Sequence, residues 1–437
     1  MINLYRTGLE ILKKAIDSVV PKNLIRERIS FNGKILKIDK NSFDTSKYRK
    51  IWILGAGKAS FSMGEAILDI LKSRVDGGFV CGNSERKIDG IITFRGSHPV
   101  PDERSLNASK GMENFIKENI RKNDLCLFLL SGGASSILCY PDFGLTIEEK
   151  SIVHKALLNS GADIREINIV RKHLSRFKGG KLSKIIPCDV INLILSDVPG
   201  DEIESIGSGP LSKDSSTWVD VKNIFEKYRL EGKVPSKVLE ILEQGIKGKF
   251  EETLKEEPKN VKSFIIGNNL YALKKGKEEA ERIGFSSVIL TSRDQGRASE
   301  LAKFYSRILM EVLSSENPCK KPCCILAGGE TQVEVKGKGK GGRNQEFVLS
   351  TLIEMGDFSG KFLVMSVDSD GIDGPTDASG AWIDDGTFGE AKKLGLDPIF
   401  HLKENDSYNF FERTGNLIKL GETSTNVSDI RIFIAVK

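Results

Sequence analysis

The feature that most restricts how this chain can fold is a short apolar run that keeps returning with the same ending. "KIWILGAGKAS", "DLCLFLLSGGASS", "VINLILSDVPGD", "SFIIGNNLYAL", "SVILTSRDQG", "CCILAGGETQ" and "FLVMSVDSDGIDG" each string together aliphatic or aromatic residues, close on Gly, Ser or Asp, and give way to a helical pattern. A strand apolar at every position is buried on both faces. Such strands alternating with helices predict an α/β protein whose parallel sheet is covered by helices on both faces. Ligands of these sheets sit beyond the carboxyl ends of the strands, where the Gly, Ser and Asp residues fall.

With 437 residues the chain exceeds one ordinary core, so two domains are expected. The polar, lysine-rich stretch Glu231 to Asn260 interrupts the alternation. It predicts a Rossmann-like domain over residues 1–235 and a second α/β domain over 260–437, with the last segment a candidate to pack back on the first domain. The formal charge of +5, from 65 basic and 60 acidic residues, describes a surface of mixed sign and gives no support to a nucleic-acid or anionic-lipid partner. No apolar run approaches the roughly 18 residues of a membrane span, and the opening "MINLYRTGLEILKKAIDSVV" reads as an amphipathic helix and not a signal peptide. A cytoplasmic monomer or homodimer is expected. The seven cysteines fall largely in apolar runs and read as buried thiols, and "CKKPCC" lacks the second ligand pair that zinc requires.

Several strand ends carry candidate chemistry. In "ILGAGKAS", Gly55 and Gly57 permit a tight turn and Lys58 falls beside a helix N-terminus, whose dipole already attracts anions. The stretch is neither a Walker loop nor a dinucleotide fingerprint, because Ala59 follows the lysine and Ser60 stands at the third glycine position. In "LLSGGASS", Ser131, Gly132, Gly133, Ser135 and Ser136 offer backbone donors and hydroxyls to phosphate or carboxylate. In "INIVRKHLSRFKGGKLS", Arg171 and Lys178 lie seven residues apart on one helix face, placed to meet an anion together.

Asp197 closes one strand beside a Pro-Gly turn, and "VDSDGIDGPTDASG" supplies Asp368, Asp370, Asp373 and Asp377. The second cluster is no EF-hand, but carboxylates gathered at strand ends suit a divalent cation held jointly with phosphate oxygens. Asx turns account for about half of them. "LAGGETQVEVKGKGKGGRNQE" places Gly328, Gly329, Glu330 and Thr331 at another strand end, then a short alternating strand. Lys336, Lys338 and Lys340 read as solvated residues of a hairpin or strand extension. Gly341, Gly342, Arg343 and Asn344 then open a helix, with Arg343 placed as an anion clamp.

Taken in order, "GAGKAS", "GSHPVPDERS", "LSGGASS", "NIVRKHLSRFKGGKL", "LSDVPGDEIESIGSGP", "LAGGET", "GKGGRNQE", "SVDSDGIDGPTDASGA" and "TNVSDIRI" resemble the glycerate 2-kinase family that carries the MOFRL domain. The resemblance runs from about residue 51 to the C-terminus. It implies that the second domain is of MOFRL type, with an active site in the cleft between the domains. It also implies ATP-dependent phosphorylation of the C2 hydroxyl of D-glycerate with Mg²⁺ or another divalent cation.

Lys58 and Arg343 match the lysine and arginine of the family's site. As expectations, they stabilise the transferred phosphoryl group or hold the glycerate carboxylate, Asp197 acts as base or metal ligand, and Asp368 and Asp370 serve the metal. Replacing Lys58 or Arg343 by Ala is expected to abolish turnover with little change in stability. The competing readings are 3-phosphorylation, a hydroxypyruvate reductase and a regulator that binds nucleotide or sugar phosphate without turnover.

Overall fold

A computed structural model describes residues 3–437, which divide into two compact units. Among the described residues, one comprises 24–196 and 201–266; the other comprises 3–23, 197–200 and 267–437. They are called the nucleating unit and the C-terminal unit below.

The nucleating unit begins with a small antiparallel sheet, β1 (Ile29–Phe31), β2 (Ile35–Ile38) and β3 (Asn41–Asp44). Its main sheet contains β4 (Ile51–Ala56), β5 (Gly77–Gly82), β6 (Ile91–Arg95), β7 (Leu125–Ser131), β8 (Asp189–Leu195) and β9 (Val261–Gly267), in the order β6-β5-β4-β7-β8-β9. The pairings from β6 through β8 are all parallel. Every residue of β4 and β7 is buried, which is the two-sided burial that their unbroken apolarity requires. β4 and β7 are adjacent, so the loops at their carboxyl ends, Gly57–Lys58 and Gly132–Gly133, emerge side by side.

The C-terminal unit holds β10 (Ser286–Asp294), β11 (Cys323–Gly329), β12 (Lys361–Asp368), β13 (Gly380–Asp384), β14 (Leu417–Ile418) and β15 (Asp429–Val436), in the order β10-β11-β15-β12-β13-β14. Only β10 and β11 run parallel; the other pairings are antiparallel. The expected parallel arrangement therefore holds in the first sheet and not in the second. Unbroken apolarity reports burial on two faces, and a central antiparallel strand satisfies it equally well.

Three expectations about the division of the chain differ from the structure. The last segment does not return to the first domain: β15 fills the middle of the C-terminal sheet, between β11 and β12. The polar stretch 231–260 is not a linker. Its helix Ser236–Ile246 buries Val238, Ile241 and Leu242 in a core cluster with Trp218 and Phe225, an amphipathic packing hidden by the exposed lysines and glutamates.

The first helix, Leu4–Val19, belongs with the C-terminal unit. It buries Ile11, Leu12, Ala15, Ile16 and Val19, stacks Tyr5 near Trp382 at 4.6 Å, pairs Glu10 with Arg282, and accepts a bond from the Thr425 hydroxyl at Val19 O, 2.6 Å. All seven cysteines are buried free thiols, and no helix among the described residues is long and apolar enough to cross a membrane.

Because Ile11 is fully buried against the C-terminal unit, Ile11→Ala is expected to lower that unit's stability by about 3 kcal/mol in urea unfolding. An unchanged midpoint would contradict the assignment of the first helix to this unit.

Candidate active site

In the nucleating unit the β4 and β7 loops are knitted through their backbones. The Lys58 N–H donates to Gly132 O at 2.8 Å, and the Ala59 N–H donates to Ser131 Oγ at 3.0 Å. Gly57 has φ +136°, and a Cβ there would lie 2.1 Å from Ser131 Oγ, so only glycine lets the two loops approach this closely. Lys58 leaves the turn just ahead of the helix Ser60–Leu71, whose first turn has no side-chain cap. The Ser60 N–H turns back onto Gly57 O at 3.3 Å, so the helix start is closed partly by its own turn. The Lys58 stem and the His98 ring both lie against Gly133.

The predicted residues of this half divide by role. Gly55, Ser131 and Gly132 are buried scaffold, and the Ser131 hydroxyl is taken up by the Ala59 N–H. Ser135 Oγ lies 2.7 Å from Ser208 Oγ, and Ser136 Oγ donates to Pro99 O at 2.6 Å. Arg171 and Lys178 do not form one anion-facing helix stripe. The helix ends at His173, and the Lys178 ammonium is buried against the carbonyls of Leu138 and Gly207. Arg171 donates to Asn168 Oδ1, which also accepts from the Ser208 hydroxyl, so it props the Ser135–Ser208 contact from behind.

The C-terminal unit is organised around a residue outside the predicted set. Asp429, the first residue of β15, is fully buried. Its Oδ1 accepts from Arg343 Nε at 2.7 Å and Asn344 Nδ2 at 2.8 Å. Its Oδ2 accepts from Arg431 at 2.7 Å and from the Thr331 N–H and hydroxyl at 3.1 and 3.0 Å. Burial, the largest influence, pushes this carboxyl up, yet Arg343 and Arg431 outweigh it and hold Asp429 below the usual range. The next arginine, Arg431, is fully buried and also pairs with Asp294, itself bonded by the Tyr305 hydroxyl.

Arg343 begins the helix Arg343–Met355. Besides Asp429 it donates to Asp368 Oδ2 at 2.7 Å and Glu330 Oε1 at 3.2 Å. Three of the five N–H groups of the guanidinium are thereby used within the protein. The expectation that Arg343 is replaceable without loss of stability therefore fails: its removal strips Asp368 and Asp429 of a cation in a buried setting.

Asp373 fixes the same helix end. Its carboxylate accepts from the backbone N–H groups of Asn344 and Gln345, 3.1 and 2.9 Å away, and burial pushes its carboxyl up to about 6. Gly342 is required at the entry because a Cβ would lie 2.3 Å from the Asp373 carboxyl carbon.

The expected aspartate cluster is thus dispersed. Asp368 remains at Arg343, with a carboxyl pushed well up by burial, which Asp370 and Asp429 reinforce and Arg343 opposes. Asp370 follows in a turn, accepting from the Ile372 N–H. Asp377 lies on the surface with Lys419 and Tyr408. The Asp197 carbonyl accepts from the Ser428 hydroxyl at 2.8 Å, which ties that loop beside Asp429.

The segment 334–342 forms no hairpin. Its backbone is pinned by side chains instead: Asn405 accepts from the N–H groups of Lys336 and Gly337, and Asp406 accepts from that of Lys340. The signal for the missed centre was present in "SDIRIFIAV". An Asp and an Arg two positions apart on an otherwise apolar strand share a face, and neither is normally buried without the other.

The chain thus combines two α/β units with charged residues at or near their strand ends. Residues 7–243 match a family described as a domain of unknown function, DUF4147, and residues 323–429 match the MOFRL family. The chain is 36% identical over 434 residues, 99% of it and 98% of the relative, to a glycerate 2-kinase of Pyrococcus horikoshii. It is 38% identical over 441 residues, 99% of both chains, to a D-glycerate 2-kinase of Thermotoga maritima. A solved structure titled glycerate kinase from Thermotoga maritima superposes with a TM-score of 0.86 at 37% identity, covering 99% of each chain. A relative from Agrobacterium vitis, 36% identical over 87% of this chain and 98% of its own, is provisionally named a hydroxypyruvate reductase. The chain belongs to the glycerate 2-kinase family that carries the MOFRL domain.

Glu346, on the first turn of the Arg343 helix, accepts from Asn405, and burial pushes its carboxyl up to about 7. A raised acid contributes stability that is complete below its ordinary value and lost as pH rises through the raised one. Between pH 5 and 8 the wild type should therefore lose stability relative to Glu346→Gln, shifting the difference in melting temperature toward the variant. Parallel pH profiles would contradict the assignment.

Proposed function

We infer that the protein is a glycerate kinase, and we propose that it transfers the γ-phosphoryl group of ATP to the C2 hydroxyl of D-glycerate, giving 2-phosphoglycerate and ADP. The observation that carries this reading is Arg343, a guanidinium immobilised by Asp429 and Asp368 with two N–H groups left for a ligand. Phosphoryl transfer asks little covalent chemistry of a protein; it asks for fixed positive charge and exact positioning. In this reading Lys58 and Arg343 stabilise charge on the moving phosphoryl group or hold the carboxylate of glycerate. The loop donors of Gly57, Gly133, Ser135 and Ser136 receive anionic oxygens, and Gly328, Gly329, Glu330, Thr331, Gly341, Gly342 and Asn344 shape the site around Arg343.

The carboxylates of this half suit a divalent cation. Asp368 is pushed up by burial beside Asp370 and Asp429, an excess of negative charge that a cation relieves. Among the described residues no three acidic, His or Cys side chains gather into a complete metal site. Asp368 and Asp370, with Asp197 as a further donor, would hold Mg²⁺ together with phosphate oxygens, and the ion would neutralise phosphate charge. Asp197 is alternatively the base that accepts the C2 hydroxyl proton. A reductase reading is disfavoured by Ser60, which fills the third glycine position of a dinucleotide loop and spends its hydroxyl on the carbonyls of Gly57 and Cys81.

NMR of the product from D-glycerate and ATP should show 2-phosphoglycerate. The 3-phosphate would overturn the regiochemistry, and NADH oxidation with hydroxypyruvate would overturn the kinase reading. Lys58→Ala should lower kcat by about 100-fold or more at a nearly unchanged melting temperature.

A further inference from the structure

Behind the Ser135–Ser136 turn, the nucleating unit contains a cavity of about 110 Å³. Much of its wall is aliphatic, including Leu157, Leu158 and Ile167; Ser135, Ser136 and His154 add polar groups, and its charged residues are all cationic, Lys150, Lys155 and Arg171. Lys150 stands on the helix Ile147–Asn159 and is 7% exposed. Among the described residues its ammonium has no hydrogen-bond partner. Arg171 donates only to Asn168 Oδ1 and, at 3.5 Å, contacts His154 Nδ1. Lys178 reaches only the two carbonyls already described.

These groups raise one another's cost. Burial, first, and then mutual repulsion hold Lys178 well below its ordinary value, while Lys150 is lowered by burial and by Arg171. His154 is pushed down to about 4 by burial, Arg171 and Lys150, and so stays neutral at pH 7. The carboxylate that acts on Lys150 is Asp142, which lies 3.7 Å from Lys181. One carboxylate thus faces several buried cations, and a buried charge without a partner is among the most expensive features a fold can retain.

We propose that this cavity binds a small organic oxyanion, a carboxylate or phosphate ester, with its charged end on Lys150 and Arg171 and an apolar body against the Leu157–Leu158 wall. A bare inorganic ion would leave the aliphatic wall uncovered, and D-glycerate would set a hydroxylated body against the Leu157–Leu158 wall. The cavity shares Ser135 and Ser136 with the kinase reading, and the proposal goes beyond that reading in the binding role it gives Lys150 and the aliphatic wall.

The test is the melting temperature of the full chain, wild type and Lys150→Met, titrated separately with butanoate, inorganic phosphate, D-glycerate and ATP. Butanoate, which carries both a charged end and an apolar body, should raise the wild-type value saturably, with at least about tenfold weaker affinity in Lys150→Met, the cost of losing a charge-assisted bond. Responses confined to inorganic phosphate, D-glycerate or ATP overturn the proposal. Lys150→Met should melt higher than wild type without added anion, because a buried charge has been removed.

Leu158→Glu, at a position 53% exposed on the cavity wall, should also abolish the response by repulsion, and it covers the case in which Lys150→Met does not fold. No response to any anion, or only responses that survive both substitutions, overturns the proposal. Turnover is measured separately, so failure of the kinase reading leaves these outcomes readable.

Discussion

The charged centre of the C-terminal unit depends on one ionised carboxylate that has no contact with water. Asp429 sits at the start of the central strand β15 with an arginine on each of its oxygens, Arg343 on one and Arg431 on the other. Neither arginine is interchangeable with a lysine here, because each uses its planar fork to reach a second carboxylate, Asp368 in one case and Asp294 in the other. The arrangement converts a flexible side chain at a loop into a fixed charge, since Arg343 is held at three of its nitrogens before any ligand arrives. Pre-organisation of this kind is what phosphoryl transfer requires of a protein.

The two units carry opposite charge balances. Around Arg343 the carboxylates outnumber the cations. In the nucleating unit the balance is reversed. In the cavity behind the serine turn, no carboxylate among the described residues is bonded to Lys150 or Arg171. That excess of buried positive charge suits anionic groups, and the tight seam at Gly57 gives the loop a rigid base.

Much of this was legible from local pattern. Each apolar run named at the outset contains a strand, and the residues singled out there lie in the last positions of β4, β7, β11 and β12 or just beyond them. What was not legible is what depends on pairing across long sequence distances. Asp429 and Arg343 are 86 positions apart, and nothing near Asp429 reveals that its partner opens a helix upstream. The same limit explains β15, whose place in the middle of the sheet is a matter of topology and not of composition. The aspartates 368, 370, 373 and 377 look equivalent on the page. One pairs with the arginine, one follows it in a turn, one caps the helix and one lies on the surface.

A double-mutant cycle between Arg343→Gln and Asp429→Asn, read by urea unfolding of the full chain, reports most directly on whether this buried pair organises the C-terminal half. A coupling energy of about 2–3 kcal/mol is expected for a buried, directly bonded charge pair. Additive effects, with a coupling near zero, would mean that Asp429 does not hold Arg343 in place.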